Sequence, residues 1–233
     1  MTKAFVFPGQ GSQTVGMGQV LAQTYPEAKA VFDEVDAALG QNLSEIMWNG
    51  PQETLTLTEN AQPALMAVSM AVMRVLQARG LQLADTAAYV AGHSLGEYAA
   101  LTAAGALQLE DASRLLKLRG QAMQRAVPVG VGAMAALLGL EFSVVVEIAK
   151  EAASETQVCA AANDNANGQV VISGHAEAVE RAIELAKTRG AKRAMNLPVS
   201  APFHCSLMQP AADEMAAALA ETNIKAPSVP LIA

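Results

Sequence analysis

The tightest constraint on the fold is Gly92-His93-Ser94-Leu95-Gly96, which follows the apolar run Ala87 to Ala91 and leads through Glu97-Tyr98 into an Ala-rich helical stretch reaching about Leu107. Glycine on either side of the serine lets the backbone turn sharply from strand to helix with the hydroxyl exposed, the G-x-S-x-G pattern of a nucleophile. The serine then stands at a helix N-terminus. There the amide of Leu95 points to where an oxyanion would form, and the helix dipole favours that charge. The competing reading is a glycine-rich turn with a capping serine, and the motif alone does not separate an esterase from a transferase. A second unit of this kind starts the chain: Ala4 to Phe7 reads as a strand, followed by Pro8 and the loop Gly9-Gln10-Gly11-Ser12-Gln13, with a helical stretch from near Met17. Two such turns imply a parallel sheet whose functional edge lies at the strand carboxyl ends.

From Gly132 the pattern changes. It reads as a strand (133–140), a helix (142–153), strands (157–163 and 169–174), a helix (176–189) and a strand (192–197). That order is βαββαβ. The middle strands are joined by Asp164-Asn165-Ala166-Asn167-Gly168, whose Asn-Gly pair signals a tight hairpin. A ferredoxin-like subdomain, 129–197, inserted into a larger domain made of 1–128 and 198–233, is therefore expected. With 233 residues, 52% of them hydrophobic and 16% charged, the chain can bury a large core. An aromatic content of 4% suits small-residue packing of helices on a sheet, hence the α/β class.

Net charge of -7 with scattered Lys and Arg leaves no basic surface for a phosphate backbone, so nucleic acid is excluded as a partner. Cys159 and Cys205 form no CxxC pair, and Met1 to Gly9 has too short an apolar stretch for a secretory signal. No run is long enough to cross a bilayer. A cytoplasmic protein with no membrane partner is expected. The three histidines and two cysteines have no metal-ligand spacing, and neither GxxxxGK[ST] nor a dinucleotide fingerprint is present, so no metal and no cofactor are expected.

A nucleophilic serine needs a base. His93 is adjacent to Ser94 and its side chain leaves the turn in another direction, while His175 opens a helix after Gly174. His204, in the proline-stiffened segment Pro198-Val199-Ser200-Ala201-Pro202-Phe203-His204, is the base by elimination. Arg119 is a separate clue. The helix from Glu110 to Ala126 has an apolar stripe of Ala112, Leu115, Leu116, Ala122, Met123 and Ala126, and Arg119 falls in its middle with no carboxylate three or four residues away. A guanidinium on a buried face must find an anion elsewhere. That anion is either a distant Asp or Glu of the protein or a substrate carboxylate clamped bidentately.

Four segments in order, Phe7 to Gln13, Gly92 to Tyr98, Arg119-Gly120 and Pro198 to His204, resemble the motifs of the malonyl-CoA:acyl carrier protein transacylases and the acyltransferase domains of fatty acid and polyketide synthases. The resemblance covers the whole chain. It implies an α/β-hydrolase-like large domain and a ping-pong transfer of malonyl from malonyl-CoA to the phosphopantetheine thiol of an acyl carrier protein. It casts Ser94 as nucleophile, His204 as base and then acid, the amides of Gln10 and Leu95 as oxyanion hole, and Arg119 as holder of the malonyl carboxylate. Gln62 and Asn163 align with positions near the site, and Phe203 beside His204 fits malonyl rather than a branched extender. Family members continue beyond Val229 to Ala233, with a further strand and helix and a carbonyl that orients the histidine. The alternatives are an esterase or thioesterase with Asp111 or Asp164 as acidic partner, and a catalytically silent fragment that only docks a carrier protein.

Overall fold

The computed structural model describes residues 2–199 and 201–233; Ser200, within the segment that leads to His204, lies outside them. Its elements divide between two compact units, one comprising the chain up to Gln121 with Ala217–Ala233, the other Ala122–Ala216. The protein is mixed α/β, with one parallel and one antiparallel sheet.

The first unit starts with β1 (Ala4–Phe7) and a run of helices: α1 (Gln19–Thr24), α2 (Pro26–Leu39), α3 (Leu43–Asn49), α4 (Gln52–Thr56), α5 (Thr58–Ala78) and α6 (Leu83–Thr86). Then come β2 (Tyr89–Gly92), α7 (Gly96–Ala103) and α8 (Leu109–Ala126). The helix α5 is central. Ala61, Ala64, Ala67 and Ala71 are fully buried along it, and such small residues let neighbouring helices approach closely. Its early Pro63 leaves the N-terminal turn near Glu59 short of one backbone donor. At that turn the α8 backbone comes close: a Cβ added to Gly120 would lie 2.5 Å from the Glu59 Cα. Lys117 and Gln121 fasten the same crossing, Lys117 bonding Gln41 and Asn60 and Gln121 bonding Glu59.

The second unit runs β3 (Gly132–Leu138), α9 (Phe142–Ala152), β4 (Cys159–Ala166), β5 (Gln169–His175), α10 (Ala176–Thr188) and β6 (Arg193–Asn196), and then enters α11 (Gln209–Glu221). Its sheet has the order β4-β5-β3-β6, with every pairing antiparallel. Alternation along the strands sorts the side chains into two cores. Ala135, Leu137, Val170 and Ile172 meet Ile148 of α9 and Val179 of α10, while Met134 and Val171 meet Phe203, Met208 and Met123. Both faces are therefore covered within the unit. The short β7 (Leu231–Ile232) belongs to the first unit, where it extends the parallel sheet in the order β1-β2-β7. Register pairs Val6 with Ala91 and Ala91 with Ile232.

Several boundaries differ from the sequence reading, and three of the differences have a clear local cause. β2 begins at Tyr89 rather than Ala87, because the Ala87 amide is used to close α6 on Leu83. α7 stops at Ala103 rather than about Leu107, since Gly105 takes a left-handed conformation and the Ala106 amide caps the Leu101 carbonyl. β4 continues through Asp164 to Ala166, so Asp164 is a strand residue paired with Val170 and only Asn167-Gly168 forms the turn. Register shifts at Ala161/Asn163 and Asp164/Ala166 accompany this polar, exposed strand end, which needs no apolar alternation because it covers no core.

Among the described residues no helix is long and apolar enough to cross a membrane. Cys159 and Cys205 are free, and burial pushes the Cys159 thiol up to about 11, leaving it protonated and unreactive near neutral pH. Two glycines separate crowding from strain. Gly105 has open space around it, so Gly105→Ala costs only the left-handed conformation, about 1–2 kcal/mol. A Cβ on Gly92 would fall 1.9 Å from the Gly96 carbonyl carbon, so Gly92→Ala is expected to cost at least about 3 kcal/mol. Denaturant titration of both variants checks the difference.

Candidate active site

Ser94 stands between the end of β2 and the start of α7 with φ of 54°, a left-handed conformation that a serine adopts only when its surroundings impose it. The imposition is visible. Gly92 and Gly96 touch backbone to backbone, the Gly96 amide bonds the His93 carbonyl, and the Glu97 amide bonds the Ser94 carbonyl. On the other side Gly96 rests on the loop after β1, where an added Cβ would lie 2.5 Å from the Phe7 carbonyl oxygen. Gly9 lies equally close to His93, and the His93 amide donates to the Phe7 carbonyl at 3.1 Å. The two glycine-rich loops at the carboxyl ends of β1 and β2 thus run side by side.

That contact places Gln10 and Leu95 in adjacent loops. Among the described residues neither backbone amide donates to a protein acceptor, so both are available to an oxyanion. Leu95 is buried, and the Gln10 side chain is tied to the buried Thr58 hydroxyl at the start of α5 by a bond of 3.1 Å.

Arg119 reaches this turn from α8. Its Nη1 donates to Gln62 Oε1 at 2.7 Å and its Nη2 to Ser94 Oγ at 3.1 Å. The third neighbour is the Tyr98 ring, whose centroid lies 5.9 Å from the guanidinium carbon. No ion pair among the described residues involves Arg119, so the sequence alternative of a structural salt bridge has no counterpart in them. Burial disfavours its charged form and holds its pKa below the usual guanidinium value, while Tyr98 and Glu97 work in the opposite direction. Tyr98 is shifted upward, mainly by burial, and so stays a neutral phenol. A desolvated cation with neutral hydrogen-bond partners is a seat for an anion.

Of the remaining residues singled out from sequence, His204, Asn163, Asp164 and His175 lie in the second unit and Asp111 in the first. His204 is exposed, with φ of 60°, in the loop between β6 and α11. Its flanks are fixed there: the Pro202 ring packs on Gly132, Phe203 is buried in the core, and Cys205 Sγ donates to the Pro202 carbonyl at 3.2 Å. Asn163 lies on β4, half-buried, opposite Val171. Of the two aspartates open to a hydrolase reading, Asp111 is paired with Arg114 on its own helix and Asp164 is exposed on β4. His175 accepts from the Val158 amide through Nδ1 as α10 begins. Among the described residues no group of three or more His, Cys, Asp or Glu could hold a metal ion. Tyr98 and Thr58 are not singled out by the sequence reading. Tyr98 could be found from its place in the first turn of α7, directly after the serine turn; Thr58 carries no such signal.

Residues 4–233 match the family model of the acyl transferase domain. The chain belongs to this family. It is 52% identical over 229 residues to the malonyl CoA-acyl carrier protein transacylase of Escherichia coli K12, which spans 98% of this chain and 73% of that protein. The Bacillus subtilis protein of the same name is 48% identical, with 98% and 71% covered. Among solved family structures, an acyl-carrier-protein-S-malonyltransferase from Bartonella henselae has a TM-score of 0.97 and 59% identity, covering all of this chain and 74% of that one. A malonyl-transacylase solved in complex with a type II polyketide synthase acyl-carrier protein has a TM-score of 0.95 and 44% identity, with 100% and 74% covered.

The site generates one prediction of its own. Gln62→Leu leaves Arg119 Nη1 without its acceptor and should lower stability by about 1–3 kcal/mol, whereas Gln62→Glu supplies a resident carboxylate and should keep the fold. Thermal unfolding of the two variants tests the asymmetry.

Proposed function

We propose that this chain transfers the malonyl group of malonyl-CoA to the phosphopantetheine thiol of an acyl carrier protein through a malonyl ester on Ser94. The observation that carries the reading is Arg119 hydrogen-bonded to the nucleophile itself while held only by neutral partners. Family membership and the names of relatives about half identical to the chain give the reaction class.

The chemistry follows from the donors. Ser94 Oγ accepts from Arg119 and still has its own proton to donate. His204 takes that proton as base, Oγ attacks the thioester carbonyl, and the amides of Gln10 and Leu95 hold the oxyanion. Collapse of the tetrahedral adduct breaks the carbon–sulfur bond, and His204 returns the proton to the departing CoA sulfur. The carrier thiol repeats the sequence in reverse order: it gives its proton to His204, attacks the ester, and Ser94 recovers the proton. A malonyl carboxylate is one methylene beyond the acyl carbon, within reach of a guanidinium that lies 3.1 Å from Oγ. On arrival the carboxylate replaces neutral acceptors with a bidentate charged one; an acetyl group offers no such exchange.

The finer architecture belongs to this reading. Residues 1–128 with 198–233 are taken as the α/β-hydrolase-like catalytic domain and 129–197 as a ferredoxin-like subdomain, the latter supported by the sheet order β4-β5-β3-β6. Asn163 is assigned to the substrate side of that subdomain. No cofactor is required beyond the CoA and phosphopantetheine arms of the substrates, and a cytoplasmic location fits such substrates.

Intact-protein mass spectrometry after mixing with malonyl-CoA or acetyl-CoA tests the proposal. A malonyl adduct is expected on the unaltered chain and none on Ser94→Ala. Arg119→Ala should slow malonyl loading by about 10²-fold or more, the loss of two charge-assisted hydrogen bonds, and should slow acetyl loading far less. Equal slowing of both acyl groups would remove Arg119 from the role of clamp.

A further inference from the structure

We propose that Tyr98 is a positioning residue for acyl-group selection, holding the Arg119 guanidinium in place with its ring while leaving the charge free for the substrate carboxylate. This rests on the reading of Arg119 as the malonyl clamp. Tyr98 is in the first turn of α7, its amide bonded to the Leu95 carbonyl at 3.1 Å, so the turn that presents Ser94 also sets the ring. The guanidinium spends in-plane donors on Gln62 and Ser94 and has the Tyr98 ring as its third neighbour, 5.9 Å from centroid to Cζ. An aromatic face attracts a cation without accepting its hydrogen bonds. A carboxylate in that position would pair with Arg119 and close the seat.

The nearby alternative partner is Glu97, the carboxylate whose field reaches Arg119 although the two form no ion pair. Without the ring, the long Arg119 side chain has rotamer freedom to turn toward Glu97, and its cation would be neutralised from within. Tyr98 is thus assigned to discrimination between a carboxylate-bearing acyl group and a plain one.

The test is the rate of acyl-Ser94 formation with malonyl-CoA and acetyl-CoA as a function of concentration. Tyr98→Leu is expected to lower the malonyl-to-acetyl ratio of kcat/KM by about tenfold, mainly through KM for malonyl-CoA, within the strength of a desolvated cation–ring contact. Tyr98→Phe should retain the ratio to within about twofold. If Tyr98→Leu fails to fold by circular dichroism, Tyr98→Met, which fills the space without a ring, replaces it. An unchanged ratio in the ringless variant, with the ratio collapsed in Arg119→Ala, overturns the role of Tyr98 and leaves the clamp standing. A ratio unchanged in Arg119→Ala as well overturns both. Tyr98→Phe behaving like Tyr98→Leu would assign the effect to the hydroxyl and also overturn the proposal.

Discussion

Backbone contact between Gly92 and Gly96 is the constraint on which the first unit's site depends. With no side chain on either residue, the end of β2 folds directly onto the first turn of α7, and the residue between them is driven into a left-handed conformation that exposes its hydroxyl. The same absence of side chains lets Gly96 rest on the Phe7 and Pro8 carbonyls, which draws the β1 loop alongside. Strain at Ser94 is sustained because three packed segments determine it at once. Any one of them alone would relax.

Charge placement follows from the packing of α8. Gly120 lets that helix touch the N-terminal turn of α5, and Lys117 and Gln121 lock the crossing with Asn60 and Glu59. Arg119, next to Gly120, is then carried toward Gln62 and Ser94. The polar crossing engages Glu59 with Lys117 and Gln121, and among the described residues no carboxylate forms an ion pair with Arg119. Hydrogen bonding to uncharged groups satisfies the geometry of the guanidinium without satisfying its charge, and that difference makes the site an anion seat rather than a structural ion pair.

Several elements are legible in the sequence because local chemistry dictates them. The run Ala4 to Phe7 has the bounds that the sequence implies, and the hairpin turns at the Asn167-Gly168 pair that signals it, since apolar patterning and left-handed glycine act over a few residues. The helix around Arg119 is legible to within one residue of its observed start. Less is legible where the signal is not local. Of the five helices between Gln19 and Ala78, α1, α3 and α4 have seven residues or fewer, too short to show a period, and α5 is buried nearly all round over its first half. Periodicity therefore does not divide the whole stretch, although α2 carries the stripe Ala28, Val31, Phe32 and Val35. The end of β4 escapes a local reading because its polar residues project past the core and carry no alternation.

By itself the sequence determined the βαββαβ order from Gly132 to Leu197, the serine on its glycine-flanked turn, and the presence of one arginine on an apolar helix face without a local partner. It could do so because each is a property of neighbours along the chain. Which group answers Arg119 was decided only in three dimensions: Gln62 and Ser94 lie 57 and 25 residues away, and their meeting depends on a close helix crossing that one glycine permits. The neutrality of that environment is likewise a tertiary fact. Pairing, desolvation and ring contact are set by what packs against a side chain, and packing partners far apart in the chain leave no mark in local pattern.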